Sequence, residues 1–236
     1  MISRSPPRFV VAFAIAFVAG CSQRPTVGPK ELATTGPGSA PLCVTEGQVR
    51  PLSGGRMEVA DPAMRAVALG TGGDAAELEF VYEGPSAQDA PLASGELRRQ
   101  IGLKLRAADT CNVVYVMWHI MPTSALAVSV KSNPGMTQHT ECRDGGYQTI
   151  KASREEAVPE IREGEAHRLR ATLEGETLRV HVDGRLAWEG IVGEDALSFD
   201  GPIGIRTDNG RFLFRVVGQR GRRAADCRGG EVVGSG

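Results

Sequence analysis

Few residues of this chain sit where chemistry would need them. Glu77 and Glu79, in AELEF, stand two apart, so on a strand their carboxylates share one face. Paired acids about 5–10 Å apart are what glycosidic cleavage requires. A solvated edge strand accounts for the same pair, and that is the reading adopted. Glu194, Asp195 and Asp200 fall in a loop-like stretch where acids are ordinary. There is no G-x-S-x-G elbow to expose a nucleophilic serine. His119, His139, His167 and His181 show no metal-binding spacing. His167 shares parity with Leu169 and Leu173 and reads as a half-buried residue opening a strand, whereas His181 reads as exposed. No catalytic residue is assigned and no metal site is expected. Asp208-Asn209-Gly210 could offer oxygens to calcium, but that ion takes about six to eight ligands and a turn explains these residues. No cofactor is expected.

Binding is the better prospect. In CNVVYVMWHI, residues 111–120, Val114, Val116, Trp118 and Ile120 share one strand face and are all apolar. Val113, Tyr115, Met117 and His119 share the other. In the flanking strands Ile101, Leu103 and Leu105 point inward and leave Gln100, Lys104 and Arg106 outward. Val128 and Val130 point in, and Ser129 and Lys131 point out. If these strands are neighbours, Lys104, Arg106, Tyr115, His119 and Lys131 lie on one amphipathic, basic outer face. A long polar loop follows, from Ser132 to Tyr147, and long loops in compact domains are often functional. Aromatic platforms beside hydrogen-bonding groups suit a carbohydrate, and the cations suit an anionic one. The candidate ligand-binding set is Lys104, Arg106, Tyr115, His119, Lys131 and Tyr147. A loop covering the face, with Tyr115 as strand filler, accounts for the same pattern, and both readings stand.

The elements that must position these residues are strands. Period-two alternation runs through 77–83, 99–107, 126–132, 167–174 and 177–184. Glycine turns divide them, and Asp183-Gly184 and Asn209-Gly210 match the favoured two-residue hairpin dipeptides. Helix-like windows are confined to 62–69 and 153–162, short and without an apolar stripe. Turns every 8–12 residues or so predict an all-β, antiparallel β-sandwich. Leu178, Val180, Val182, Leu186, Trp188, Ile203, Ile205, Phe212, Phe214 and Val216 are its expected core.

Of the five cysteines, Cys21 stands apart near the N-terminus. The other four, an even number, imply two disulfides in an exported chain. Of three possible pairings, Cys43–Cys227 would tie the ends of the domain and Cys111–Cys142 would close the middle loop; this is the pairing expected.

The stretch GEAHRLRATLEGETLRVHVDGRLAWEG, followed by FDGPIGIRTDNGRFLFRVVG, resembles the closing strands of concanavalin A-like jelly rolls of the lectin and glucanase class. It is most similar to their laminin-G-like and 3-keto-disaccharide hydrolase-type members. The resemblance covers residues 164–218 and implies a jelly roll. That fold hosts lectins, hydrolases and adhesive domains alike. The hydrolase relatives' carboxylate motif, E-x-D-x-x-E or a close variant, is absent. A non-catalytic lectin-like domain is therefore expected, with a glycoside hydrolase and an envelope adhesion module as alternatives.

The N-terminus bears on location. Arg4 and Arg8 precede ten apolar residues, 9–18, too few for a span of about 20, so 1–20 reads as a signal peptide. The ending VAGC resembles the lipobox of bacterial lipoproteins, which implies that Cys21 is acylated and anchors the chain in the membrane. Ser22 where the sorting rule reads Asp favours the outer membrane. Residues 21–42, rich in Pro, Gly, Ser and Thr, read as a tether. The domain is expected over 43–227 and a disordered tail over 228–236. Net charge is −1 and gives no argument for a nucleic-acid partner.

Overall fold

Alternate burial runs strand by strand through this computed structural model, which describes residues 40–221, 227 and 229–234. The expected signal peptide, Cys21 and nearly all of the tether lie outside the described residues. The strands are β1 (Leu42–Glu46), β2 (Arg50–Pro51), β3 (Met57–Val59), β4 (Ala63–Ala68), β5 (Thr71–Pro85), β6 (Arg99–Leu105), β7 (Val113–Met121) and β8 (Ala125–Lys131). They continue as β9 (Tyr147–Thr149), β10 (Arg154–Glu155), β11 (Ala166–Glu174), β12 (Thr177–Val182), β13 (Arg185–Ile191), β14 (Gly204–Asp208), β15 (Gly210–Arg220) and β16 (Glu231–Val233). One four-residue helix, α1 (His139–Cys142), lies in the long loop. No helix among the described residues is long and apolar enough to cross a membrane.

Two eight-stranded antiparallel sheets face each other. The first runs β16-β1-β4-β14-β6-β7-β8-β9 and the second β10-β13-β12-β11-β5-β15-β3-β2. The fold is the predicted all-β sandwich. Its core takes one parity from each strand: Ile101, Leu103, Val114, Val116 and Trp118 from the first sheet, Leu78, Phe80, Leu169, Val180 and Phe214 from the second. Trp118 is fully buried, edge-on to Phe80 at 5.7 Å between ring centroids. His167, expected half-buried, is buried; it packs 5.0 Å from Trp118 and bonds Asp183 through Nδ1 at 2.9 Å. Both disulfides form as paired above, Cys43–Cys227 and Cys111–Cys142.

Asp183 and Gly184, with φ of 49° and 83°, make the expected tight turn between β12 and β13. A bulge opposite Val180–His181 then places Ala187, rather than Leu186, beside Trp188 in the core. Five further readings are corrected. The window 62–69 is not helical but holds β4, whose alternating burial seats Met64, Ala66 and Ala68 in the core. Glu77 and Glu79 lie not at an edge but on β5, flanked by β11 and β15. Asn209-Gly210 turns no hairpin, because β14 and β15 belong to different sheets. Instead Asn209, buried with φ of 56°, exchanges bonds with Ala90 and donates to the Arg98 carbonyl, stapling the 86–98 loop. In the expected tail, Glu231–Val233 instead form β16, which pairs with β1 beyond the Cys43–Cys227 bridge. His181 is half-buried rather than exposed.

Candidate binding face

The outer face of the first sheet is built in rows set by strand register. One row runs Val67, Gly204, Lys104, Tyr115, Ser129 and Thr149 across β4, β14, β6, β7, β8 and β9. The next runs Arg65, Arg206, Gly102, Met117 and Ala127, and the third Ala63, Asp208, Gln100, His119 and Ala125. Glycines at 204 and 102 make the hollow. A Cβ on Gly204 would stand 3.2 Å from Lys104 Cδ, and one on Gly102 would stand 2.7 Å from Met117 Sδ. Both long side chains therefore lie flat over glycine, which drops them into the face.

Lys104 is buried, and its ammonium has no hydrogen-bond acceptor among the described residues. Burial lowers its pKa to about 7, and the neighbouring Arg65 and Arg206 push the same way against Glu46. Asp208, almost wholly buried, takes Arg65 Nη2 at 2.7 Å, Arg206 Nε at 2.8 Å and Gln100 Nε2 at 2.6 Å. Burial works against its charged form, but Arg206, Arg65 and Gln100 outweigh it and hold the carboxyl below the ordinary range. Its oxygens are spent on these partners, and Asn209 is spent on the 86–98 loop. The pair that could have offered ligands to calcium is thus otherwise engaged.

Tyr115 stacks on Tyr147 at 6.1 Å and carries the Arg206 guanidinium over its ring, 5.3 Å from the centroid. Its phenol is pushed up by burial and by Tyr147. Tyr147, 44% exposed, is the aromatic that reaches solvent. At the far end His119 lies 3.5 Å from Arg98 Nη1, and burial with the Arg98 and Arg206 charges lowers its pKa to about 4. His119 is thus a neutral ring at neutral pH.

Four of the six expected residues, Lys104, Tyr115, His119 and Tyr147, share this face. Two do not serve as expected. Arg106 has φ of 48°, which breaks the strand alternation, and its guanidinium bonds Asp74 Oδ1 at 2.6 Å and the Phe199 carbonyl at 2.8 Å. Lys131, between Val113 and Tyr147, has the right parity but is 1% exposed, and its ammonium donates to the Thr110 and Arg143 carbonyls at 3.1 and 2.7 Å. It latches the 132–146 loop, together with Asn133, which donates to the Cys111 and Gly145 carbonyls. The loop therefore borders the face at the Lys131 end. Arg65 and Arg206 are the residues that strand parity alone missed. The outward phase of Arg206 and Asp208 was readable from Ile205, but nothing local says that β14 lies beside β6.

No family model matches this chain, and no curated protein does. Among solved structures, carbohydrate-binding module CBM66 from Bacillus subtilis superposes with a TM-score of 0.51 at 12% identity, covering 75% of this chain and 93% of that one. The Caenorhabditis elegans galectin LEC-6 gives 0.38 at 13% identity over 68% and 95% of the two chains. Domain 4 of a GH43 extracellular arabinanase from Geobacillus stearothermophilus gives 0.38 at 10% identity over 74% and 81%. The module likeness is one of fold: this chain is a β-sandwich of the architecture found in a carbohydrate-binding module.

Proposed function

We propose that this protein is a non-catalytic, lectin-like domain that binds carbohydrate on the outer face of its first sheet and is held at the bacterial cell envelope by a lipid on Cys21. The carrying observation is the pairing of the exposed Tyr147 ring, stacked on Tyr115, with the polar side chains Ser129, Thr149 and Arg206 on one sheet face. Sugar rings stack on such aromatics while their hydroxyls reach the flanking donors and acceptors. Two engaged acids support the non-catalytic reading. Asp208 is held ionised by two arginines, so it has no proton to give a leaving group. Glu79 accepts hydrogen bonds from Arg168 and Arg215.

Binding is tested on a glycan array with the exported protein. Tyr147→Ala is expected to weaken the positive ligands about tenfold, the loss of one stacking contact of roughly 1.4 kcal/mol. An array without positives, or positives indifferent to this substitution, overturns the reading. The anchor is tested by mass spectrometry of the mature N-terminus: an acylated Cys21 is expected, and Cys21→Ser is expected to move the protein from the outer-membrane to the soluble fraction.

A further inference from the structure

The cations of this face are not all spent. Arg65 is engaged through both terminal nitrogens: Nη1 donates to the Met64 and Thr207 carbonyls, Nη2 to Asp208, and Nε lies 3.8 Å from Glu46. Arg206 gives only Nε to Asp208, which leaves both terminal amino groups without an acceptor among the described residues. Lys104, more than nine-tenths buried, has none either. The Lys104 stem is buried while its ammonium touches solvent, so an ammonium with no acceptor among the described residues, set beside two guanidinium groups, is open to an anion from solution. Gly204 makes room for the stem, because any side chain there would also meet the Ala66 carbonyl oxygen at 2.3 Å.

Charge counting narrows what could complete the arrangement. Asp208 cancels one of the two arginines, and Lys104 adds a charge when protonated. Glu46 offsets part of the remainder from a half-exposed position. The surplus is close to one positive charge. Its free donors are a planar fork on Arg206 and a point charge on Lys104. A fork with a neighbouring ammonium matches a planar or tetrahedral oxyanion.

We propose that Lys104 and the terminal amino groups of Arg206 form an anion subsite that holds the single negative charge of an acidic sugar, a uronate carboxylate or a sulfate ester, while the sugar ring rests on Tyr147. The subsite builds on the carbohydrate reading above. Binding the oxyanion gives Lys104 a partner and restores its proton. Around it stand Arg65 from β4, Glu46 from β1, Arg206 and Asp208 from β14, Tyr115 from β7 and Tyr147 from β9. Of these, Lys104 is the group expected to change protonation near neutral pH. Complex formation above pH 7 therefore takes up a proton, and affinity falls as pH rises.

The test uses calorimetric titration of the full chain in detergent micelles. Oligogalacturonate is compared with its methyl ester, and a sulfated galactan oligosaccharide with its unsulfated form. At least one acidic member is expected to bind at least tenfold more tightly than its neutral partner, and which pair shows this tells carboxylate from sulfate. Affinity for the acidic member should fall between pH 7 and pH 9, by up to about tenfold per pH unit. Lys104→Met should erase both the preference and the pH dependence while neutral binding persists. Arg206→Gln serves as the second variant and should also lose the preference. Equal binding of acidic and neutral forms, or an acidic preference unchanged in both variants, overturns the subsite but leaves the carbohydrate reading standing. Binding to no member of either pair likewise overturns the subsite, and the glycan array then decides the carbohydrate reading.

Discussion

The two outer faces of the sandwich carry similar residue types and opposite electrostatic designs. On the second sheet Glu79, 4% exposed, takes Arg215 Nη2 at 2.6 Å and Arg168 Nη2 at 2.7 Å. Arg168 reaches on to Glu77 at 3.2 Å, and Arg179 lies between Glu174 and Glu189. Acids and bases alternate across neighbouring strands there, so the ladder satisfies itself. On the first sheet two arginines share Asp208 while Lys104 has no acceptor. A self-neutralised face needs nothing from solution. A face with surplus charge, lowered into a hollow by glycines, is less stable alone and gains from an anion. Similar residue types thus balance one another on one side and leave a surplus charge on the other.

The largest expected effect strikes the self-neutralised side. Glu79→Ala takes a buried carboxylate away from the buried Arg215 and from the exposed Arg168, and should cost about 3–5 kcal/mol in urea unfolding. Glycan affinity per folded molecule should not change, since the site lies across the core. A parallel loss of affinity would show that the two faces are not independent. The next effect falls on the border of the binding face. Replacing Cys111 and Cys142 together by Ser opens a cross-link spanning 31 residues and should cost roughly 3–4 kcal/mol on the chain-entropy account. Here affinity should fall as well, because the freed loop leads directly into Tyr147. Stability lost with affinity intact would remove the loop from the site.

How far these faces could be read in advance depended on how local their causes were. Alternation is local, and it placed Trp118 in the core and Tyr115 on the outer face. Disulfide pairing was legible because end-to-end and loop-closing partners are natural neighbours in a sandwich. Arg106 was misread because a single positive φ redirects its side chain, and alternation carries no warning of that. Lys131 has the right phase, but its acceptors are carbonyls of two separate loops. Arg65 and Asp208 meet across 143 positions of sequence, so their pairing exists only once β4 and β14 are side by side. The scaffold of the face was therefore visible, while its charge balance was a product of strand order.

The smallest expected effect is also the one that separates the two faces by sign. Removing an acid from the second sheet destabilises, whereas Lys104→Met should stabilise. The ammonium has no protein acceptor to strand, and methionine keeps most of the stem's volume over Gly204. Folding lowers the Lys104 pKa to about 7 from 10.5, so between those values the unfolded chain binds more protons than the native one. The unfolding free energy of the wild type must then rise with pH across that window, and the cost of Lys104 is complete below it. The variant should gain roughly 1–2 kcal/mol at pH 6. That advantage should shrink as pH climbs from 7 towards 10.5. Parallel thermal melts of both proteins from pH 6 to 10 follow the difference. A variant less stable than the wild type, or a gap that does not close with pH, would mean that Lys104 is already satisfied and that the first sheet balances its charges as the second does.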